Sequence, residues 1–205
     1  RPSYAEGARG LARALVDGGH SLVYGGGNVG LMGVIADAVM AQGGEVVGVI
    51  PHTLMAREIG HTGVTRLHVV DSMHERKALM ADLSDAFVAL PGGVGTFEEL
   101  FEAITWTQLG LHRKPCGLLN VDGFYDGLLQ FLDHAWAEGF IKPETRAIVS
   151  SGTDPVELQQ VLAGNAADVY AFDLEARAPL AARFGPTHAE IAEPLEAIPA
   201  DATSP

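Results

Sequence analysis

Apolar residues along this chain follow two alternating rhythms. Short continuous runs, SLVYGGG, EVVGVIP, TRLHVV, DAFVALP, CGLLNV and AIVSS, alternate with longer segments whose apolar positions recur every three or four residues. The runs read as strands buried on both faces. The longer segments read as amphipathic helices: YAEGARGLARALVDGG, VGLMGVIADAVMAQ, SMHERKALMADLS, TFEELFEAITWTQLG, GFYDGLLQFLDHAWAEGF and DPVELQQVLAG. Ser3 and Glu6 predict a capping box ahead of the first helix, and glycine pairs stop the first two. Strands alternating with helices predict an α/β fold, a Rossmann-like doubly wound parallel sheet with helices on both faces. The pattern predicts one such domain over residues 1–164. Beyond it, residues 165–205 are acidic and rich in Pro and Ala, which predicts a weakly ordered extension with short structure near DVYAFDL.

Composition narrows the partners. Hydrophobic residues make up 47% of the 205 and aromatics 7%, so the core is expected to be aliphatic. Thirteen Lys and Arg face 26 Asp and Glu, a formal net charge of −13. A body this acidic repels nucleic-acid backbones, but a locally positive site can still take a small anion. Cys116 is the single cysteine, expected as an inert buried thiol, and a reducing cytoplasm is the expected setting. No apolar run approaches the ~20 residues of a membrane span, so no membrane partner is expected. The chain starts with Arg1, and its natural beginning is expected to lie upstream.

Three motifs carry candidate chemistry. In Leu90-Pro91-Gly92-Gly93-Val94-Gly95-Thr96 a strand passes into a helix. Its glycines let the backbone approach a ligand, and the helix N-terminus offers unpaired N–H groups to an anion such as phosphate. Thr96 is suited to cap that helix. The competing reading is a tight turn without a ligand. Glu98 and Glu99 follow, expected in the helix's first turn. They either complement the dipole or bring a carboxylate to a sugar held by its phosphate, where positive charge develops as an N-glycosidic bond breaks.

The second motif, Gly25-Gly26-Gly27-Asn28-Val29-Gly30, fits G-x-G-x-x-G between a strand and a helix. A dinucleotide site also requires an acid at the end of the next strand, and that strand ends in Ile50-Pro51-His52. The third is Met73-His74-Glu75-Arg76-Lys77, where two cations oppose the dipole at a helix start. An anionic ligand explains them, and so does a solvated face. Arg57 and Glu58, in the preceding loop, are weaker candidates. The histidines lack metal-ligand spacing, so no metal is expected. Trp106 and Trp136 are expected to pack in the core.

Together, in this order, GGGNVGLMG, SMHERK and PGGVGTFEE resemble the Lonely Guy family of cytokinin riboside 5′-monophosphate phosphoribohydrolases, long labelled lysine decarboxylases. The resemblance runs from about Tyr4 to Leu162 and includes GVIPHTLMAREI, TWTQLGLHRKP and LLNVDGFYDGLL. It implies cofactor-free hydrolysis of an N6-substituted adenosine 5′-monophosphate, often AMP as well, to free base and ribose 5-phosphate. By resemblance Arg76 and Glu99 are the catalytic pair. Gly92, Gly93, Val94, Gly95, Thr96 and Glu98 hold phosphate and ribose, and Glu58, Lys77 and Thr105 line the pocket, with Gly26 and Gly27 beside the nucleotide. It also implies a homodimer or higher homo-oligomer with sites near the subunit interface, to which the helix around Met73 and Met80 is suited. The family's first strand, with its Gly-Ser turn, is expected upstream of Tyr4.

Decarboxylation has no chemical footing, because Lys77, Lys114 and Lys142 lack a recognisable pyridoxal phosphate setting. Two rivals stay open. One is another nucleoside-monophosphate N-glycosidase. The other is a non-catalytic nucleotide-binding or carrier protein.

Overall fold

A computed structural model describes residues 1–55, 60–160 and 162. The first helix, α1 (Pro2–Asp17), begins one residue ahead of the expected capping box. Pro2 accounts for this, since its fixed φ suits the first helical turn and its missing N–H is no loss there. Arg1 is the N-cap without a side-chain bond, and the Ser3 hydroxyl donates instead to Asp122 Oδ2 at 2.6 Å. Strand β1 (Leu22–Tyr24) leads through glycines into α2 (Gly30–Ala41), followed by β2 (Val46–Pro51) and the short α3 (His52–Met55). Then come β3 (Arg66–Val70), α4 (Met73–Asp82), β4 (Phe87–Ala89) and α5 (Val94–Gln108). The chain continues through β5 (Cys116–Leu119), a 3-10 turn (Val121–Gly123), α6 (Asp126–Ala137), α7 (Pro143–Arg146) and β6 (Val149–Gly152). Residues 155–160 are helical. Expected residues 165–205 lie outside the described part of the chain.

Among the described residues every strand pairing is parallel, as the uninterrupted apolar runs lead one to expect. Among the described residues the ladder is in two pieces, β1-β2-β3 and β4-β5-β6. β1 and β4 each hydrogen-bond outward only, to β2 and β5, and their facing sides line one cavity. Val23 stands opposite Val47 in the first piece, and Val88 opposite Gly117 in the second.

The core covers both faces. One cluster joins Ala8, Leu11 and Ala12 of α1 and Ile35, Ala36 and Val39 of α2 to Tyr24, Val46 and Leu119. The other joins Leu100, Ala103 and Ile104 of α5 to Cys116, Leu118 and Tyr125. Leu118 and Leu119 therefore point to opposite faces of β5, as strand alternation dictates. Cys116 is fully buried, and burial pushes its thiol up to about 12, so it is inert as expected. Trp136 departs from expectation: it is 47% exposed, in the last turn of α6. Among the described residues no helix is long and apolar enough to cross a membrane.

Candidate active site

Two glycine turns and the start of α4 converge at the strand ends. In the turn after β1, Gly25, Gly26 and Gly27 are buried. Gly26 has φ +73, and a Cβ there would meet Ile50 Cβ at 3.0 Å and the Val49 backbone at 3.3 Å. Its carbonyl accepts from the His61 N–H, and Gly27 forms an antiparallel bridge with Gly60. The protein's own backbone thus occupies this turn.

The turn after β4 is different. Its base is tied down by the fully buried Tyr125, whose hydroxyl donates to Leu90 O at 2.5 Å. Asn120 in turn accepts from the Tyr125 N–H and donates to Asp126. Burial pushes the Tyr125 phenol up to about 12, so it stays a donor at neutral pH. Above this anchor Gly93, Val94 and Gly95 are exposed. A Cβ on Gly93 or Gly95 would meet nothing within 4 Å, and neither has a positive φ. Among the described residues neither sterics nor a positive φ calls for glycine there, so the turn leaves room for close approach of a ligand. Gly92 is the exception, since a Cβ would strike Thr96 Oγ1.

Gly93 is the N-cap of α5 and makes no side-chain cap bond, so Thr96 does not cap as expected. The helix starts at Val94, which places Thr96 inside it and moves Glu98 and Glu99 from the first turn to the second. The first-turn N–H groups at Val94, Gly95 and Thr96 are free of such a cap, a setting that favours an anion.

On α4, Ser72 caps the helix by accepting from the Glu75 N–H, and Glu75 Oε2 accepts from the Asp71 N–H. The S-x-x-E spacing of Ser72 and Glu75 could have disclosed this near-capping box in advance. Arg76 is 6% exposed, its Nη2 donates to Gly25 O at 3.2 Å, and the same nitrogen lies 3.7 Å from Glu99 Oε1. Its Nε is buried with no hydrogen-bond partner. The guanidinium therefore bridges the closed turn and the helix of the open one, and keeps a donor unspent.

Lys77 behaves otherwise. Its Nζ donates to Glu98 at 2.8 Å and to Glu102 at 2.9 Å, and these bonds raise its pKa above the ordinary lysine value. Lys77 is thus engaged by carboxylates, and Arg76 with the α5 N-terminus supplies the positive potential. Glu102 was missed in the sequence, although its i+4 spacing from Glu98 puts both on one helix face. Lys77, Thr96, Glu99 and Glu102 rim a cavity of about 160 Å³ with Met80, Phe87, Val88 and Trp106 on its apolar walls.

Thr105 is not brought to this site. It is exposed on the outer side of α5, its hydroxyl donating back to Phe101 O at 2.7 Å. Six positions from Glu99 is about 240° around a helix, which explains the separation. Glu58 lies outside the described residues.

The profile of the family described as "Possible lysine decarboxylase" matches residues 32–162. A cytokinin riboside 5′-monophosphate phosphoribohydrolase of Arabidopsis thaliana is 55% identical over 162 residues, 79% of this chain and 75% of that protein. The chain belongs to this phosphoribohydrolase family. A bacterial relative of the same name from Rhodococcoides fascians is 56% identical over 147 residues, 71% of this chain and 74% of its own. In fold, the chain is similar to a molybdenum cofactor binding protein from Rippkaea orientalis, with TM-score 0.60 and 21% identity over 80% of this chain and 88% of that one. Family membership gives the convergence of the two turns, Arg76 and Glu99 a chemical context.

Proposed function

We propose that this chain hydrolyses the N-glycosidic bond of N6-substituted adenosine 5′-monophosphates, and of AMP, giving free base and ribose 5-phosphate. The observation that carries the reading is the buried Arg76 guanidinium, held within 3.7 Å of Glu99 beside a glycine turn open to the outside. The 5′-phosphate sits on the first-turn N–H groups of α5, with Gly93 and Gly95 allowing close approach. One helical turn on, the Glu99 carboxylate faces the ribose. As the C1′–N bond breaks, positive charge grows on the sugar and the carboxylate stabilises it. Water supplies hydroxide to C1′ and a proton to the departing base, so no cofactor is consumed. Arg76 holds Glu99 in place.

Self-association completes the reading. Phe101, Leu109 and Leu111 are large apolar side chains, 38%, 66% and 69% exposed, on and just after the outer side of α5 that also carries Thr105. A homodimer buries this stripe and brings Thr105 to a shared interface. With one buried thiol, a reducing cytoplasm suits the protein.

The test is chromatographic. Isopentenyladenosine monophosphate, AMP, CMP and the corresponding nucleosides are incubated with the protein. Release of isopentenyladenine or adenine from the monophosphates alone is expected. Release from none of them by well-folded protein overturns the reading in favour of nucleotide binding without turnover. Light scattering at twice 21.6 kDa supports the dimer, and a monomer removes it.

A further inference from the structure

We infer that Gly25 is a positioning residue: its missing side chain is the seat of the Arg76 guanidinium. A Cβ built on Gly25 would lie 1.9 Å from Arg76 Nη2, 3.0 Å from Cζ and 3.5 Å from Nε. All three nearest atoms belong to that one side chain. Gly25 lacks a positive φ, so its backbone conformation is open to any residue. Glycine is needed here because an arginine fills the space.

The consequences follow from how Arg76 is held. Its Nη2 rests on the Gly25 carbonyl at 3.2 Å and faces Glu99 at 3.7 Å, while Nη1 lies 3.8 Å from Met73 Sδ. A methyl group at Gly25 forces Nη2 back by about 1.5 Å to reach ordinary contact. The displaced atom is the far end of a flexible chain, so the fold absorbs the change. The geometry toward Glu99 does not, and misplacement by about 1 Å costs on the order of 100-fold in rate.

The rate test rests on the phosphoribohydrolase reading. Gly25→Ala is expected to lower kcat by about 100-fold with KM changed less than about threefold. In an Arg76→Lys background, whose side chain has no Nη2, the same substitution is expected to cost less than about threefold. Equal penalties in the two backgrounds overturn the proposal. Position is read separately, by crystal structures of the wild type and Gly25→Ala. Displacement of the guanidinium away from Glu99 is expected, and an unmoved Arg76 overturns the proposal even if the wild type turns over no nucleotide. Should Gly25→Ala fail to fold, Gly25→Ala/Arg76→Ala is expected to fold, because truncation clears the seat. A double variant that also fails overturns it.

Discussion

The two glycine turns differ in what fills them. After β1, Gly25 is filled by Arg76 and Gly26 by Ile50, Leu67 and Val49, all from within the chain. After β4, a Cβ on Gly93 or Gly95 would meet nothing among the described residues within 4 Å. The same residue type thus serves two ends. In the first turn glycine lets the protein close on itself and seat a charged side chain. In the second it keeps a helix N-terminus accessible. Arg76 and Glu99 connect the two, since one is fastened to the closed turn and the other rides on the helix of the open one.

The connection itself gives the largest expected effect. Glu99→Gln keeps the shape of the side chain and removes the carboxylate that the proposed reaction sets against the ribose. A kcat loss of about 1,000-fold or more is expected, with nucleotide affinity by calorimetry within about threefold of wild type. Parallel loss of binding and turnover would make Glu99 a structural partner of Arg76 and dissolve the division between the turns.

The closed turn comes next. Gly26→Ala demands a positive φ from alanine and sets a Cβ 3.0 Å from Ile50 Cβ, with the strand backbone at 3.3 Å. Together these are expected to destabilise the fold by about 2–4 kcal/mol, lowering Tm by roughly 5–15 °C. A variant melting within a degree or two of wild type would show that the turn yields easily and is not a scaffold.

The sequence disclosed more of the elements than of the site. All six strands among the described residues follow from apolar runs, because a strand buried on both faces writes its burial into consecutive residues. Motif spacing also brought Arg76, Glu99 and Gly92–Thr96 to the strand ends. What was illegible depended on contacts between distant residues. Nothing in SMHERK says that Lys77 is held by Glu98 and Glu102 while Arg76, its neighbour, is buried. Helical rotation of about 100° between them decides it, and only packing fixes the zero of that angle. Trp136 was misjudged for the same reason.

The open turn supplies a smaller effect of unusual sign. Gly95 is the second residue of α5, where alanine is the better helix former by about 0.5–1 kcal/mol, and a Cβ there meets nothing. Gly95→Ala is therefore expected to raise Tm slightly while raising KM for the monophosphate about tenfold. A stabilised variant with unchanged KM would mean that no ligand approaches this backbone.

The anchor beneath the open turn gives the smallest effect. Tyr125→Phe keeps the buried ring and deletes the hydroxyl that holds Leu90 O. One half-buried carbonyl then loses its donor, which is expected to cost about 1–2 kcal/mol in denaturant unfolding. The pH dependence has a defined sign. Burial raises the phenol from 10.0 to about 12 in the folded protein, so its contribution is complete below pH 10 and is lost as pH rises toward 12. Tyr24, also buried and raised to about 12, adds to the same alkaline loss. Removing the Tyr125 hydroxyl should therefore make stability fall less steeply between pH 10 and 12 than in wild type. The open turn should also hold nucleotide more loosely, by a few-fold in KM, because the strand end beneath it has lost its tether. If Tyr125→Phe lowers stability and leaves KM untouched, the turn is positioned by Gly92 and Thr96 alone, and the difference between the two turns reduces to what lies above each, not what holds it from below.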